Sequence, residues 1–202
     1  MKLRKFVQVL SLVLFVGLIA LGKMQLWMLI FGGSLLLSTF FGRFYCGYIC
    51  PINTGMEAID SISDKKKRKR KSVPKFFKSP IIRYLILALF LGTMAIVFKT
   101  GKKLPVLPVL FATGIVITIF FRPEFWHRYL CPYGSLLSVF SKFNKKTYMV
   151  HNEDCIKCGK CVKACPADAY IWEDRKDYPF IIKNECLKCG RCIEACPTDS
   201  IR

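Results

Sequence analysis

Eight of the eleven cysteines fall into one pattern written twice: Cys155, Cys158, Cys161 and Cys165 before Pro166, then Cys186, Cys189, Cys192 and Cys196 before Pro197. Thiolates are soft ligands that suit iron–sulfur clusters, zinc and copper. Three thiols at two-residue intervals with a fourth before proline match the corners of a 4Fe-4S cubane. Zinc sites instead use pairs of C-x2-C knuckles across a longer loop. A disulfide framework needs an oxidising compartment, which the distribution of charge along the chain disfavours for this segment. Redox chemistry on two 4Fe-4S clusters is the expectation.

The doubled C-x2-C-x2-C-x3-C-P run resembles that of the bacterial two-cluster ferredoxins, in which the fourth cysteine of each run reaches across to the other cluster. The resemblance implies Cys155, Cys158, Cys161 and Cys196 on one cluster, Cys186, Cys189, Cys192 and Cys165 on the second, and a small α+β domain over residues 147–202. Between the runs, Tyr170 to Ile182 is rich in aromatic and aliphatic residues around Glu173-Asp174-Arg175-Lys176-Asp177. This predicts a hairpin, either the module's own small sheet or an edge for docking.

The elements that must carry this module are apolar. Phe6 to Leu21, Met24 to Phe41, Ile81 to Phe98 and Leu104 to Phe121 are nearly free of charge, and each approaches the roughly 17 to 25 residues of a membrane span. They predict an α-helical membrane domain over residues 1–146, with four transmembrane helices in two hairpins that turn at Gly22-Lys23 and Lys99 to Lys103. A signal peptide ending near Ala20-Leu21-Gly22 fits less well, because a second span begins almost at once. Pro105 and Pro108 fall in the first turns of the fourth span, where a missing amide donor costs least.

Residues 151–202 hold nine basic and nine acidic residues, so the whole formal charge of +19 resides in the first 150. The basic residues cluster at Lys2, Arg4 and Lys5, at the run Lys65 to Lys71, and at Arg122, Arg128, Lys142, Lys145 and Lys146. The positive-inside rule makes these regions cytoplasmic, with both termini and the cysteine module inside a reducing compartment and the chain multi-pass in the inner membrane. Arg83, just inside the third span, is expected to snorkel to the headgroups. No aromatic platform or helix-turn-helix pattern accompanies the basic run, so nucleic acid is not an expected partner.

The two hairpins end alike. Phe44-Tyr45-Cys46-Gly47-Tyr48-Ile49-Cys50-Pro51 aligns with Phe125-Trp126-His127-Arg128-Tyr129-Leu130-Cys131-Pro132. An internal repeat over about 1–64 and 80–143, joined by a basic linker at 65–79, follows, each copy closing on a proline-started amphipathic helix at Ile52 to Ile62 or Tyr133 to Phe143. If the turns pair, Cys46, Cys50, His127 and Cys131 offer three thiolates and an imidazole to iron, a 2Fe-2S cluster, zinc or copper. Alternatively the cysteines are buried and reduced, and His127 makes an ordinary hydrogen bond.

Hairpins closed by such turns and followed by a doubled cluster motif resemble the membrane iron–sulfur proteins of the NapH and NosR type, over essentially the whole chain. That resemblance implies an electron carrier between a quinol pool or cytoplasmic donor and a redox partner, such as a ferredoxin, a flavoprotein or a reductase subunit. A related branch, which reduces copper during oxidase assembly, supplies the alternative. The first cysteine of the second turn departs from the pattern, being His127. Only His127 and His151 exist, neither mid-span, so bis-histidine haem is not expected. Without a dinucleotide fingerprint or P-loop, the chain reads as a carrier and not a complete enzyme.

Overall fold

Each apolar block folds as a helix: α1 Lys2–Ala20, α2 Gln25–Phe41, α5 Pro80–Thr100 and α6 Val106–Phe120. Between and after them lie α3 Phe44–Tyr48, α4 Pro51–Lys65 and α7 Pro132–Phe140. The computed structural model describes residues 2–66, 70–100, 105–144, 146–174 and 176–202. Lys67, Arg68 and Lys69 of the basic run, residues 101–104 of the second hairpin turn, Lys145 and Arg175 lie outside the described residues.

Four spans were the expectation, but among the described residues two helices are long and apolar enough to cross a membrane: Lys2–Ala20, with 19 residues, and Pro80–Val97, with 18. The helices α2 and α6, with 17 and 15 residues, are apolar but shorter. The shortfall has local causes. Gly42 ends α2 with a φ of 67°, turning the chain into α3, and Pro105 precedes the first residue of α6.

The chain divides into two units, Met1–Pro51 with Leu137–Arg202, and Ile52–Leu136. In the first, α1 and α2 form a hairpin whose core is aromatic. Phe15 meets Trp27 edge-on at 5.1 Å, Phe31 meets Tyr45 at 5.3 Å, and the Trp27 indole donates to the Tyr45 hydroxyl at 2.8 Å. The cysteine module of the same unit has two short helices, α8 Lys160–Ala164 and α9 Arg191–Ala195, and an antiparallel pair, β1 Tyr170–Ile171 with β2 Phe180–Ile181. Tyr170 lies opposite Ile181 and Ile171 opposite Phe180, so one pair faces the core and the other solvent. Its ends close through a bridge between Val150 and Ile201.

In the second unit Val73, Phe125 and Tyr129 form a core with Phe77 and Phe121, and Arg70 of the linker pairs with Asp60 of α4. A π-helical turn at Phe125–Leu130 occupies the place that α3 holds in the first hairpin. Arg83, expected to snorkel, is half-buried, and its Nε donates to Ser135 Oγ at 3.1 Å.

Candidate iron–sulfur site

The two cysteine runs fold alike. In each, a lysine takes a left-handed conformation (Lys157, φ 54°; Lys188, φ 55°), a glycine follows two residues later (Gly159, φ 68°; Gly190, φ 74°), and an aspartate after the Cys-Pro pair repeats it (Asp168, φ 49°; Asp199, φ 50°). These kinks wrap the backbone around a void. One is lined by Cys155, Cys158, Cys161 and Cys196. The other is lined by Cys165, Cys186, Cys189 and Cys192. The fourth cysteine of each run thus faces the pocket of the other run.

The donor set fits 4Fe-4S clusters. Each pocket presents four thiols with no competing carboxylate among its lining residues. Polar hydrogens point at sulfur: the Ala169 amide donates to Cys165 at 3.3 Å, the Lys188 amide to Cys186 at 3.4 Å, and Ser200 Oγ lies 3.2 Å from Cys196 Sγ. Such bonds stabilise coordinated thiolates. Among the described residues no group of three or more His, Cys, Asp or Glu is gathered tightly enough for a single metal ion.

Burial sets the thiol chemistry. It pushes Cys161 up to about 11 and Cys165 and Cys186 up to about 12, against amide hydrogen bonds that act the other way. Cys196 is different: burial raises it, but bonds from Ser200 and Thr198 outweigh that and bring it below its ordinary value. Ligation requires the thiolate, so loading the buried pocket releases protons.

The first hairpin turn packs onto the second cysteine run. A Cβ on Gly47 would stand 2.1 Å from the Leu187 carbonyl oxygen, closer than any side chain tolerates, so this contact demands glycine. Arg43, just before α3, pairs with Glu185, next to Cys186, at 2.8 Å, with side chains 0% and 6% exposed. Ser138 donates to the other Glu185 oxygen at 2.8 Å, and Asn184 donates to Ser138 at 3.1 Å. From α1, Arg4 and Gln8 donate to the Gly47 carbonyl at 3.0 and 3.1 Å, and Ser11 donates to that of Ile49. Arg4, expected as a topology charge, is therefore a buried clamp.

Cys46 and Cys50 belong to the first unit, His127 and Cys131 to the second. All four are buried, and two of the thiols have local work. Cys46 hydrogen-bonds Arg43; burial pushes its thiol up, partly offset by the guanidinium. Cys131 accepts the Gly134 amide at 3.4 Å, a cap for the helix begun by Pro132. The polar stripe Arg4, Gln8, Ser11 at helical spacing was a legible signal for the clamp. Nothing in the sequence pointed to the pairing of Arg43 with Glu185.

The family described as a 4Fe-4S dicluster domain matches residues 139–201, and the family described as a 4Fe-4S binding domain matches residues 24–70 and again 104–149, which include the two Cys-Pro turns. The chain is similar to YccM of Escherichia coli K12, a protein named for electron transport, with 26% identity over 163 residues, covering 69% of this chain and 46% of that protein. It is similar to the methylamine utilization ferredoxin-type protein MauN of Paracoccus denitrificans, 28% identical over 150 residues, 66% of this chain and 53% of that one. To the regulatory protein NosR of Pseudomonas aeruginosa it is 25% identical over 144 residues, 62% of this chain and 20% of that one. The chain spans about half the length of the curated relatives it matches. No solved structure matches it.

Proposed function

We infer that this chain, which belongs to the 4Fe-4S ferredoxin-like proteins of the NapH/NosR type and carries 4Fe-4S clusters, is a membrane-anchored relay passing electrons between a cytoplasmic donor or quinol-linked partner and a membrane or extracytoplasmic acceptor. Its clusters supply reversible one-electron storage. Cys155, Cys158, Cys161 and Cys196 hold one and Cys186, Cys189, Cys192 and Cys165 the other. The observation that carries this reading is the gathering of each set of four thiols around its own void, with Cys161, Cys186 and Cys192 in one shared core.

The anchor is argued from exposure. Over Pro80–Val97 only 6% of residues are buried, although Arg83 is the one charged residue among predominantly apolar ones. Water does not tolerate that much contiguous apolar surface, whereas a bilayer does. The basic residues that follow each hairpin support, by the positive-inside rule, a cytoplasmic position for both termini and the cysteine module. The metal-reducing alternative has less support, since the Cys46 and Cys131 thiols have the local bonds described above.

Iron and acid-labile sulfide, measured on anaerobically purified protein extracted from membranes and joined to EPR after dithionite reduction, test the reading. About eight irons per chain and two interacting paramagnets are expected. Four irons or fewer, or recovery in the soluble fraction without detergent, would defeat it.

A further inference from the structure

The two halves of the cysteine module correspond residue for residue, Cys155 with Cys186, Gly159 with Gly190, Cys165 with Cys196 and Asp168 with Asp199, with matching positive φ at each kink. The correspondence continues past the kinks, pairing Ala169 with Ser200 and Tyr170 with Ile201. Both last residues are buried, Tyr170 at 7% exposure and Ile201 at 3%. An aliphatic side chain meets the packing need in the second half. The first half puts a phenol there instead.

That phenol belongs to a core shared by cysteines of both runs. Tyr170 packs in one core with Cys161, Ile181, Cys186 and Cys192, and it lines the pocket of the second run. Its hydroxyl is buried and has no acceptor at full hydrogen-bond geometry among the described residues. The cysteines that share its core include Cys161 of the first run and Cys192 of the second. A buried hydroxyl left without an acceptor is destabilising, and a neutral thiol is a poor acceptor, whereas a ligating thiolate is a good one. The position thus makes sense once the sulfurs carry charge.

We propose that Tyr170 is a positioning residue that donates its hydroxyl hydrogen to the ligating sulfurs of Cys161 and Cys192, one from each cluster, and thereby raises both reduction potentials. This rests on the assignment of those two cysteines to different clusters. The sign follows from charge. Reduction adds an electron to a cluster, part of which resides on its sulfurs, and a donor at sulfur stabilises the more negative state. One hydroxyl has one hydrogen, so the bond turns toward whichever sulfur holds more charge, and both clusters feel its loss.

The test compares wild type with Tyr170→Phe, which keeps the ring and removes the donor, and with Ile181→Leu, which disturbs the same core without touching a donor. Each protein is assayed for iron and sulfide and then titrated potentiometrically with EPR detection. All three should hold about eight irons. Tyr170→Phe should lower both one-electron midpoints by ~59 mV, about a tenfold loss in the reduction equilibrium, and Ile181→Leu should leave them in place. Unchanged midpoints in Tyr170→Phe, a shift confined to one couple, an equal shift in Ile181→Leu, or loss of iron from Tyr170→Phe alone would each overturn the proposal. Fewer than eight irons in wild type would instead defeat the cluster assignment beneath it.

Discussion

The two cysteine pockets share a sequence pattern and a backbone, yet their thiols sit in different surroundings. Around the first run Cys158 is exposed, Cys155 and Cys196 are half-buried, and Cys161 alone is buried. Around the second, Cys186, Cys189 and Cys192 are buried and Cys165 is half-buried. The cause is what covers each loop. The first is covered by the module's own hairpin, with Trp172 against Gly159 and the Lys157 ammonium 4.1 Å from the Tyr178 ring centre. Over the second lie Gly47, Arg43 and the rest of the first turn, held in place by α1. An identical motif therefore makes an open site and an enclosed one, according to what is packed on it. Burial disfavours the added charge of a reduced cluster, so the enclosed cluster should have the lower potential and the open one should meet soluble partners.

The comparison is broken most directly at the ligands. Cys158→Ala and Cys196→Ala should each remove the open cluster, and Cys189→Ala and Cys165→Ala the enclosed one, with iron falling by about half and one EPR signal surviving. Loss of the open cluster in Cys165→Ala would reverse the crossed assignment. Next in size, Arg43→Met leaves Glu185 buried without its cation. Chemical denaturation should show a loss of about 3–5 kcal/mol, and chelators should strip the enclosed cluster first, against the order in wild type. Gly47→Ala forces a methyl onto the Leu187 carbonyl and should cost about 1–3 kcal/mol, again felt at the enclosed cluster's EPR signal.

Alkaline pH weighs more heavily on the enclosed pocket than on the open one in the metal-free protein. Cys165 and Cys186 are raised from 9.0 to about 12, so the unfolded chain loses their protons first and stability falls as pH climbs through that window, while below 9.0 it is fully present. Denaturant titrations at pH 8 to 11 should show the loss, Cys165→Ser with Cys186→Ser should abolish most of it, and Cys196→Ser should not. Smallest of all, Ser200→Ala removes one hydroxyl–sulfur bond, worth about 0.5–1.5 kcal/mol, and should lower the open cluster's midpoint alone.

Much of the fold was legible because it is written in short-range terms. Hydropathy marked the four helices, Pro51 and Pro132 marked the starts of α4 and α7, and the aromatic stretch between the cysteine runs marked the β1–β2 pair. Span length was misjudged for α2 and α6, because Met24 at the start of one apolar block, and Pro105 and Phe121 near the ends of the other, fall outside the helices. Arg4 was read only as a topology charge, because a cation near a helix end looks like one until a buried acceptor is found for it. Arg4 has the Gly47 carbonyl and Arg83 has Ser135. The alignment of the two Cys-Pro turns is visible in sequence, but the bonds of Cys46 to Arg43 and of Cys131 to the Gly134 amide are not.

The sequence by itself determined the cluster chemistry and the helical apolar blocks, since ligand spacing and hydropathy act over a few residues and need no distant partner. Only the tertiary structure decided which cysteine pocket is enclosed, that Arg43 meets Glu185, and that Tyr170 shares a core with Cys161 and Cys192. Burial, low dielectric and buried hydrogen bonds arise from groups far apart along the chain, and they exist only once packing has brought those groups together.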